Sequence, residues 1–138
     1  NRQLSILAID LDNFKVVNDE EGHAAGDQLL AAVARRLEAT IRAADAAARM
    51  GGDEFSILLV DAGEESATET AHRLVAELGK PYPGIQTRVS ASIGIAVYPQ
   101  AGADLAELLE NADRALYAAK RGGRNTCRLA SCAKTSEV

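Results

Sequence analysis

The sequence predicts an α+β sandwich in which helices flank a central five-stranded sheet of mixed or antiparallel strands. Three observations lead there. Short apolar runs rich in branched side chains alternate with helical stripes in the order β-α-α-β-β-α-β-α-β. The middle two apolar runs flank Gly51-Gly52, a tight hairpin rather than the crossover a parallel sheet requires. The 138 residues, 47% hydrophobic and 25% charged, suffice for one core without staples and for one domain.

Ser5 to Leu11 is a buried strand, broken by acid at its polar end. Asn13 to Glu20 forms a short helix before Gly22. From Ala24 to Arg42, Leu30, Val33, Leu37 and Ile41 fall on one stripe, with Arg35, Arg36 and Glu38 off it. Ala46 to Met50 and Glu54 to Val60 are the hairpin strands; their primed turn needs positive φ, which glycine adopts cheaply. Ala67, Ala71, Leu74, Val75 and Leu78 mark the next helix, stopped by Gly79 and Pro81. Thr87 to Tyr98 follows as a long strand, with Gly94 marking a bulge or a close backbone approach. Asp104 and Glu107 open the last helix as a capping box, and its stripe is Leu105, Leu108, Leu109, Ala112, Leu116 and Ala119. Gly122-Gly123 ends that helix, Cys127 to Leu129 adds an edge strand, and the domain closes at residue 130. The polar tail over residues 131–138 is expected to fray.

A net charge of −5 without a basic run argues against a reader of nucleic-acid backbones. Any phosphate handled here must be held by local cations, metal ions and backbone amides against an adverse overall field. Cys127 and Cys132 are too few for a disulfide framework and lack zinc-site spacing, so they read as free thiols in a reducing compartment. The longest uncharged stretch, Val89 to Ala103, contains glycines, a proline and polar side chains and does not suit a membrane span. The opening residues are not expected to act as a signal peptide. The expected domain is soluble and cytoplasmic, without membrane contact of its own.

The acids are the informative residues. Asp10 and Asp12 stand two apart where the first strand runs out, so an extended backbone points both to one face. Asp53 and Glu54 sit in the hairpin turn. If the first strand neighbours that hairpin, three or four carboxylates converge at one sheet edge, and they cannot all stay ionised without a counter-ion. A few carboxylates suit Mg²⁺ or Mn²⁺, which keep positions open for water and phosphate. The plainer alternative is that strand ends and turns are commonly acidic and merely solvated. Lys120, Arg121 and Arg124 surround Gly122-Gly123 at a helix C-terminus, where cations either complement the helix dipole or meet a phosphate tail.

Beyond this, several segments together resemble one known family. Gly51-Gly52-Asp53-Glu54-Phe55 resembles the signature of the GGDEF family, the diguanylate cyclases. Asp10-Leu11-Asp12-Asn13-Phe14-Lys15 resembles that family's first-strand motif. Asn18-Asp19-Glu20-Glu21-Gly22-His23-Ala24-Ala25-Gly26-Asp27 is similar to its N-D-x-x-G-H-x-x-G-D segment. Ser92-Ile93-Gly94-Ile95-Ala96 resembles its later strand, and the run from Ala112 to Lys120, with Gly123-Arg124-Asn125, its closing helix and turn. The resemblance covers Leu4 to Leu129, in five ordered blocks.

The resemblance implies a polymerase-palm-like or nucleotide-cyclase-like fold and the condensation of two GTP into cyclic di-GMP with release of pyrophosphate. By position it implies that Asp10, Asp53 and the Leu11 carbonyl hold divalent metal, and that Glu54 is a metal ligand or the base for the attacking 3′-hydroxyl. Asn18 and Asp27 would read the guanine edge. Phe14 and Lys15 would meet the phosphates through backbone amides and charge, with Lys120 and Arg124 on the outer phosphates. Asp19 and His23 are given structural roles. Arg42-Ala43-Ala44-Asp45 has the form and placement of the family's R-x-x-D product-inhibition site, with Arg73 as a further contact. Each subunit of such a cyclase offers half of the reaction site, so a homodimer is implied.

The family's D-x-L-T-x-L-x-N-R lead-in is missing, which suggests a domain from a larger multidomain signalling protein, itself either cytoplasmic or the cytoplasmic part of a membrane-bound sensor. Without a dimerising neighbour the fragment is expected to associate weakly and to show low activity. Three other readings stand beside the cyclase. One is a non-catalytic GTP or cyclic di-GMP sensor that regulates an attached effector such as a phosphodiesterase. The others are an enzyme making a different cyclic nucleotide and a purely structural module, which leaves the acid convergence unexplained.

Overall fold

A computed structural model describes residues 2–130. The expected frayed tail and Cys132 lie outside the described residues. The elements run β1 (Leu4–Asp12), α1 (Phe14–Glu21), α2 (His23–Thr40), β2 (Ala46–Gly51), β3 (Glu54–Val60), α3 (Glu64–Leu78), β4 (Ser90–Tyr98), α4 (Leu105–Arg121) and β5 (Thr126–Leu129). The strands form one mixed sheet in the order β2-β3-β1-β4-β5. All neighbours are antiparallel except β4 and β5, which run parallel. The predicted α+β architecture is the observed one.

Alternation along β1 separates two cores. Leu7, Ile9 and Leu11 face α2 and α3, where Leu29, Val33, Leu37, Leu74 and Leu78 are buried with them. Ile6 and Ala8 face α4, packing with Ala96, Leu108, Ala112 and Leu116. Each large aliphatic side chain buried this way contributes about 1.5–3 kcal/mol. The last two residues on the α4 face of β1 are Asp10 and Asp12, so the apolar layer ends in acid where the strand reaches the rim.

Gly94 marks a close backbone approach and not a bulge. The β1–β4 register passes through Ala8↔Gly94 without a shift. A Cβ there would strike the α4 backbone at Ala112 and Leu116. The absence of a side chain therefore lets α4 lie directly on the sheet.

Asp104 caps α4 by accepting from the Glu107 N–H at 2.9 Å. The Glu107 carboxylate reaches back to the Ala103 N–H at 2.6 Å, one residue earlier than a standard capping box.

Three local expectations are corrected. The strand predicted from Thr87 begins at Ser90, because Glu21 takes the Thr87 N–H and hydroxyl away from any ladder. The helix predicted to reach Arg42 ends at Thr40, with Ile41 already extended. Leu105, placed on the α4 stripe, is 60% exposed. Cys127 is a free, buried thiol. Among the described residues no helix is long and apolar enough to cross a membrane.

Candidate active site

The sheet order puts β1 directly beside the Gly-Gly hairpin. Asp10 is the Cα partner of Glu54, and the Leu11 N–H donates to the Asp53 carbonyl at 3.2 Å. At the tip, Gly51 has φ 149° and Gly52 φ 52°; the latter is left-handed backbone that a residue with a Cβ adopts at a cost. Strand end and turn therefore meet, and the Asp53 carboxyl comes close enough to Asp10 to feel its charge.

The electrostatics of that pair are unusual. Asp10 is only 5% exposed; its Oδ2 pairs with the Lys120 ammonium from the last turn of α4, while its Oδ1 is buried without a partner. Asp53 is pushed up to about 6 by burial first, then by the neighbouring Asp10 carboxyl and its charge, with Lys120 pulling the other way. Two carboxyls facing one ammonium lack positive charge, and one buried lone pair lacks a ligand. The donor set fits a hard divalent cation. Among the described residues no three His, Cys, Asp or Glu side chains gather as a metal-holding group, so the expected convergence of three or four carboxylates is corrected to the Asp10–Asp53 pair. The protein side would supply Asp10, Asp53 and the Leu11 carbonyl, leaving the remaining positions for water and phosphate.

Glu54 is exposed. It lines a cavity of about 140 Å³ between the hairpin and α4, with Met50, Leu109 and Asp113.

Asp12 does not join the pair. Its carboxylate accepts from the Ser90 and Ser92 hydroxyls at 2.7 and 2.9 Å and from the Asn125 N–H at 3.0 Å, with the Arg124 guanidinium at 3.8 Å. It ties β1, β4 and the turn after α4 together. Arg124 and Asn125 in that turn have φ 64° and 51°. Lys120 and Arg124 thus flank the rim from the same helix end. The sequence carried a signal for this tie, since Ser90 and Ser92 alternate onto one face, but only the β1–β4 pairing makes it readable.

Phe14 and Lys15 open α1 directly after Asp12. Asn13 is left-handed, with φ 72°, and makes no side-chain cap. The first-turn N–H groups of α1 therefore point to the rim uncapped, at the positive end of the helix. Lys15 lies along the helix toward Asp19 at 3.8 Å.

Asn18 and Asp27 stand on either side of the joint between α1 and α2, which Gly22 makes with φ 98°. The Asn18 amide lies against Gly26, and a Cβ on Gly26 would overlap its Oδ1. Asp27 is exposed beside it.

Arg42, Asp45 and Arg73 line a separate cavity of about 80 Å³ with Glu69 and Thr70. Arg42 grips Asp45 through two hydrogen bonds at 3.0 and 3.1 Å. The Asp45 side chain is 1% exposed and that of Arg42 58%. Burial raises the Asp45 carboxyl, but Arg42 and the Val60 N–H overcome it and hold the group below its ordinary range. This cavity lies by Val60 and the acidic rim by Glu54, six strand steps or about 20 Å apart along β3.

Fold and rim together define a class: a mixed-sheet α+β domain whose acidic hairpin tip faces the cationic end of a helix. The sequence matches the family described as "Diguanylate cyclase, GGDEF domain" over residues 1–126, and the chain belongs to that family. It is 49% identical over 128 residues to the bifunctional diguanylate cyclase/cyclic di-GMP phosphodiesterase MucR of Pseudomonas aeruginosa, covering 91% of this chain and 18% of that protein. It is 43% identical over 132 residues to the diguanylate cyclase TpbB of P. aeruginosa strain PAO1, covering 93% and 30%. To the cyclic di-GMP phosphodiesterase NbdA of the same strain it is 38% identical over 130 residues, covering 93% and 17%. The chain therefore spans less than a third of each of these relatives.

The crystal structure of the GGDEF domain of TpbB superposes with a TM-score of 0.89 at 42% identity, over 94% of this chain and 83% of that one. The GGDEF domain of DgcB from Caulobacter crescentus, solved in complex with c-di-GMP, gives 0.84 at 30%, over 93% and 78%.

Proposed function

We propose that this domain condenses two GTP molecules into cyclic di-GMP, each 3′-hydroxyl attacking the α-phosphate of the other nucleotide and releasing pyrophosphate. The observation that carries the proposal is the Asp10–Asp53 pair, short of positive charge and holding one unpartnered lone pair beside Lys120. Mg²⁺ or Mn²⁺ held there would neutralise the triphosphate and lower the pKa of the attacking hydroxyl.

The chain's own groups do the rest. Lys120 and Arg124 hold the outer phosphates, where charge grows as pyrophosphate leaves. The uncapped N–H groups at Phe14 and Lys15 take phosphate oxygens. Glu54, exposed at the hairpin, receives the hydroxyl proton or completes the ion's ligands. Asp27 accepts from guanine N1–H and the exocyclic amine, and Asn18 adds a second contact. Adenine has no N1 donor, and leaving a polar contact unmade costs about 1–3 kcal/mol, enough to select the base.

Two nucleotide-loaded copies must meet face to face, since one rim holds one triphosphate. The isolated domain is then weakly active unless a neighbouring domain pairs it. Product returns to the Arg42–Asp45–Arg73 cavity, where Arg42 exchanges its grip on Asp45 for phosphate and base. GTP and its product place this work in the cytoplasm.

A second reading, a GTP or cyclic di-GMP sensor serving an attached phosphodiesterase, is favoured by the likeness to NbdA. Incubating the chain at high concentration, alone and fused to a dimeriser, with GTP and Mg²⁺ separates the two. Cyclic di-GMP supports the cyclase; bound but unchanged GTP in both forms supports the sensor. In the active form, Arg42→Ala is expected to abolish inhibition by added cyclic di-GMP while leaving the rate without product unchanged.

A further inference from the structure

Helix α1 carries Asn18 but cannot seat itself. It has eight residues and one fully buried side chain, Val17. Helices this short do not persist unaided, so tertiary ties must place it. Two polar ties do so, and both reach the segment before β4. At the start of α1, Asn13 Nδ2 donates to the Arg88 carbonyl at 2.9 Å. At its end, the Glu21 carboxylate accepts from the Gln86 N–H at 2.8 Å, the Thr87 N–H at 2.7 Å and the Thr87 hydroxyl at 2.5 Å.

That segment is in turn fastened to α2. Arg36 of α2 stacks over the Tyr82 ring, 3.8 Å from its centre, and donates to the carbonyls of Glu77, Lys80 and Pro81 at 2.7–2.9 Å. The ties close a ring: α2 holds the segment through Arg36, and the segment holds α1 through Glu21. Asn18 stands on one side of that ring and Asp27 on the other. Glu21 follows Asn18 by three residues, nearly one helical turn.

We propose that Glu21 is a positioning residue for base recognition, setting the spacing between Asn18 and Asp27 by clamping Gln86 and Thr87 to the end of α1. This deepens the guanine-reading part of the proposed function and rests on it. Glu21 touches no nucleotide. Its carboxylate has neutral donors on every bond, so Glu21→Gln keeps the size but leaves a single acceptor oxygen for three donors.

The test is binding of α,β-methylene GTP, α,β-methylene ATP and inorganic tripolyphosphate to the chain in Mg²⁺. Glu21→Gln is expected to weaken the GTP analogue about three- to tenfold, the scale of a lost hydrogen bond, and to leave tripolyphosphate unchanged. Thr87→Val, which removes one donor from the other side, must move GTP binding the same way by less. The double variant must bind no more weakly than Glu21→Gln alone.

Unchanged GTP binding in both single variants, equal losses for GTP and tripolyphosphate, or additive losses in the double variant would each overturn the clamp. A wild-type chain that binds the GTP and ATP analogues alike would overturn the guanine reading and the clamp with it. A wild-type chain that prefers GTP, with variants that keep the full preference, overturns the clamp alone.

Discussion

The Leu11 N–H donates to the Asp53 carbonyl at 3.2 Å, locking the end of the first strand to the tip of the Gly-Gly turn. That bond joins residues forty-two positions apart in the chain. It leaves the Asp10 and Asp53 carboxyls side by side with the Lys120 ammonium as their cation.

Replacing Asp53 by Asn removes one member of this like-charged pair. We expect catalytic turnover in the dimerised protein to fall by at least about 10²-fold, the scale for losing one preorganised electrostatic group. The melting temperature is not expected to fall, because the charge crowding that lifts Asp53 to about 6 is relieved. Parallel assays of turnover and thermal unfolding check both halves.

Gly94→Ala tests how α4 is seated. The added methyl meets the backbone of Ala112 and Leu116, and neither can rotate away. Such overpacking costs about 1–3 kcal/mol. Lys120 should also move away from Asp10. Denaturant unfolding reads the first effect, and the amide shifts of residues 118–121 read the second.

At the Arg42–Asp45 pair, the Asp45 carboxyl is held below its ordinary range, so the folded state binds its proton less readily than the unfolded chain does. Stability from this group is complete above the unfolded value, near 3.9, and is lost as pH falls through the folded one. Asp45→Asn cannot titrate, so its deficit relative to wild type should shrink on acidification below pH ~4. Asp45→Ala should cost about 1–3 kcal/mol at neutral pH, because the Val60 N–H loses its 3.0 Å acceptor. Unfolding curves across pH 3 to 7 measure both.

Much of this was legible in the residues. The stripe from Ala67 to Leu78 and the Gly51-Gly52 hairpin are local patterns, and local patterns fix elements. The meeting of Asp10 with Asp53 was conditional on strand order, which periodicity does not encode. The true start of β4 was hidden because a residue sixty-six positions away, Glu21, takes the Thr87 donors. Asp12 looked like part of the acid cluster; its partners Ser90, Ser92 and Asn125 come from distant segments, and only their convergence shows that its lone pairs are already occupied. Arg36 reads as an off-stripe charge and instead holds three carbonyls, that of Glu77 in the last turn of α3 and those of Lys80 and Pro81 just beyond it. In each case a long-range polar tie overrode what the neighbouring sequence suggested.

The central claim, a divalent cation held between the first strand and the hairpin tip, is tested most directly by titrating Mn²⁺ into the chain with α,β-methylene GTP and following free Mn²⁺ by electron paramagnetic resonance. The account predicts saturable binding that Asp10→Asn and Asp53→Asn each abolish, while Asp45→Asn leaves it intact. Binding that survives both substitutions, or no nucleotide-dependent binding in the wild-type chain, would contradict it.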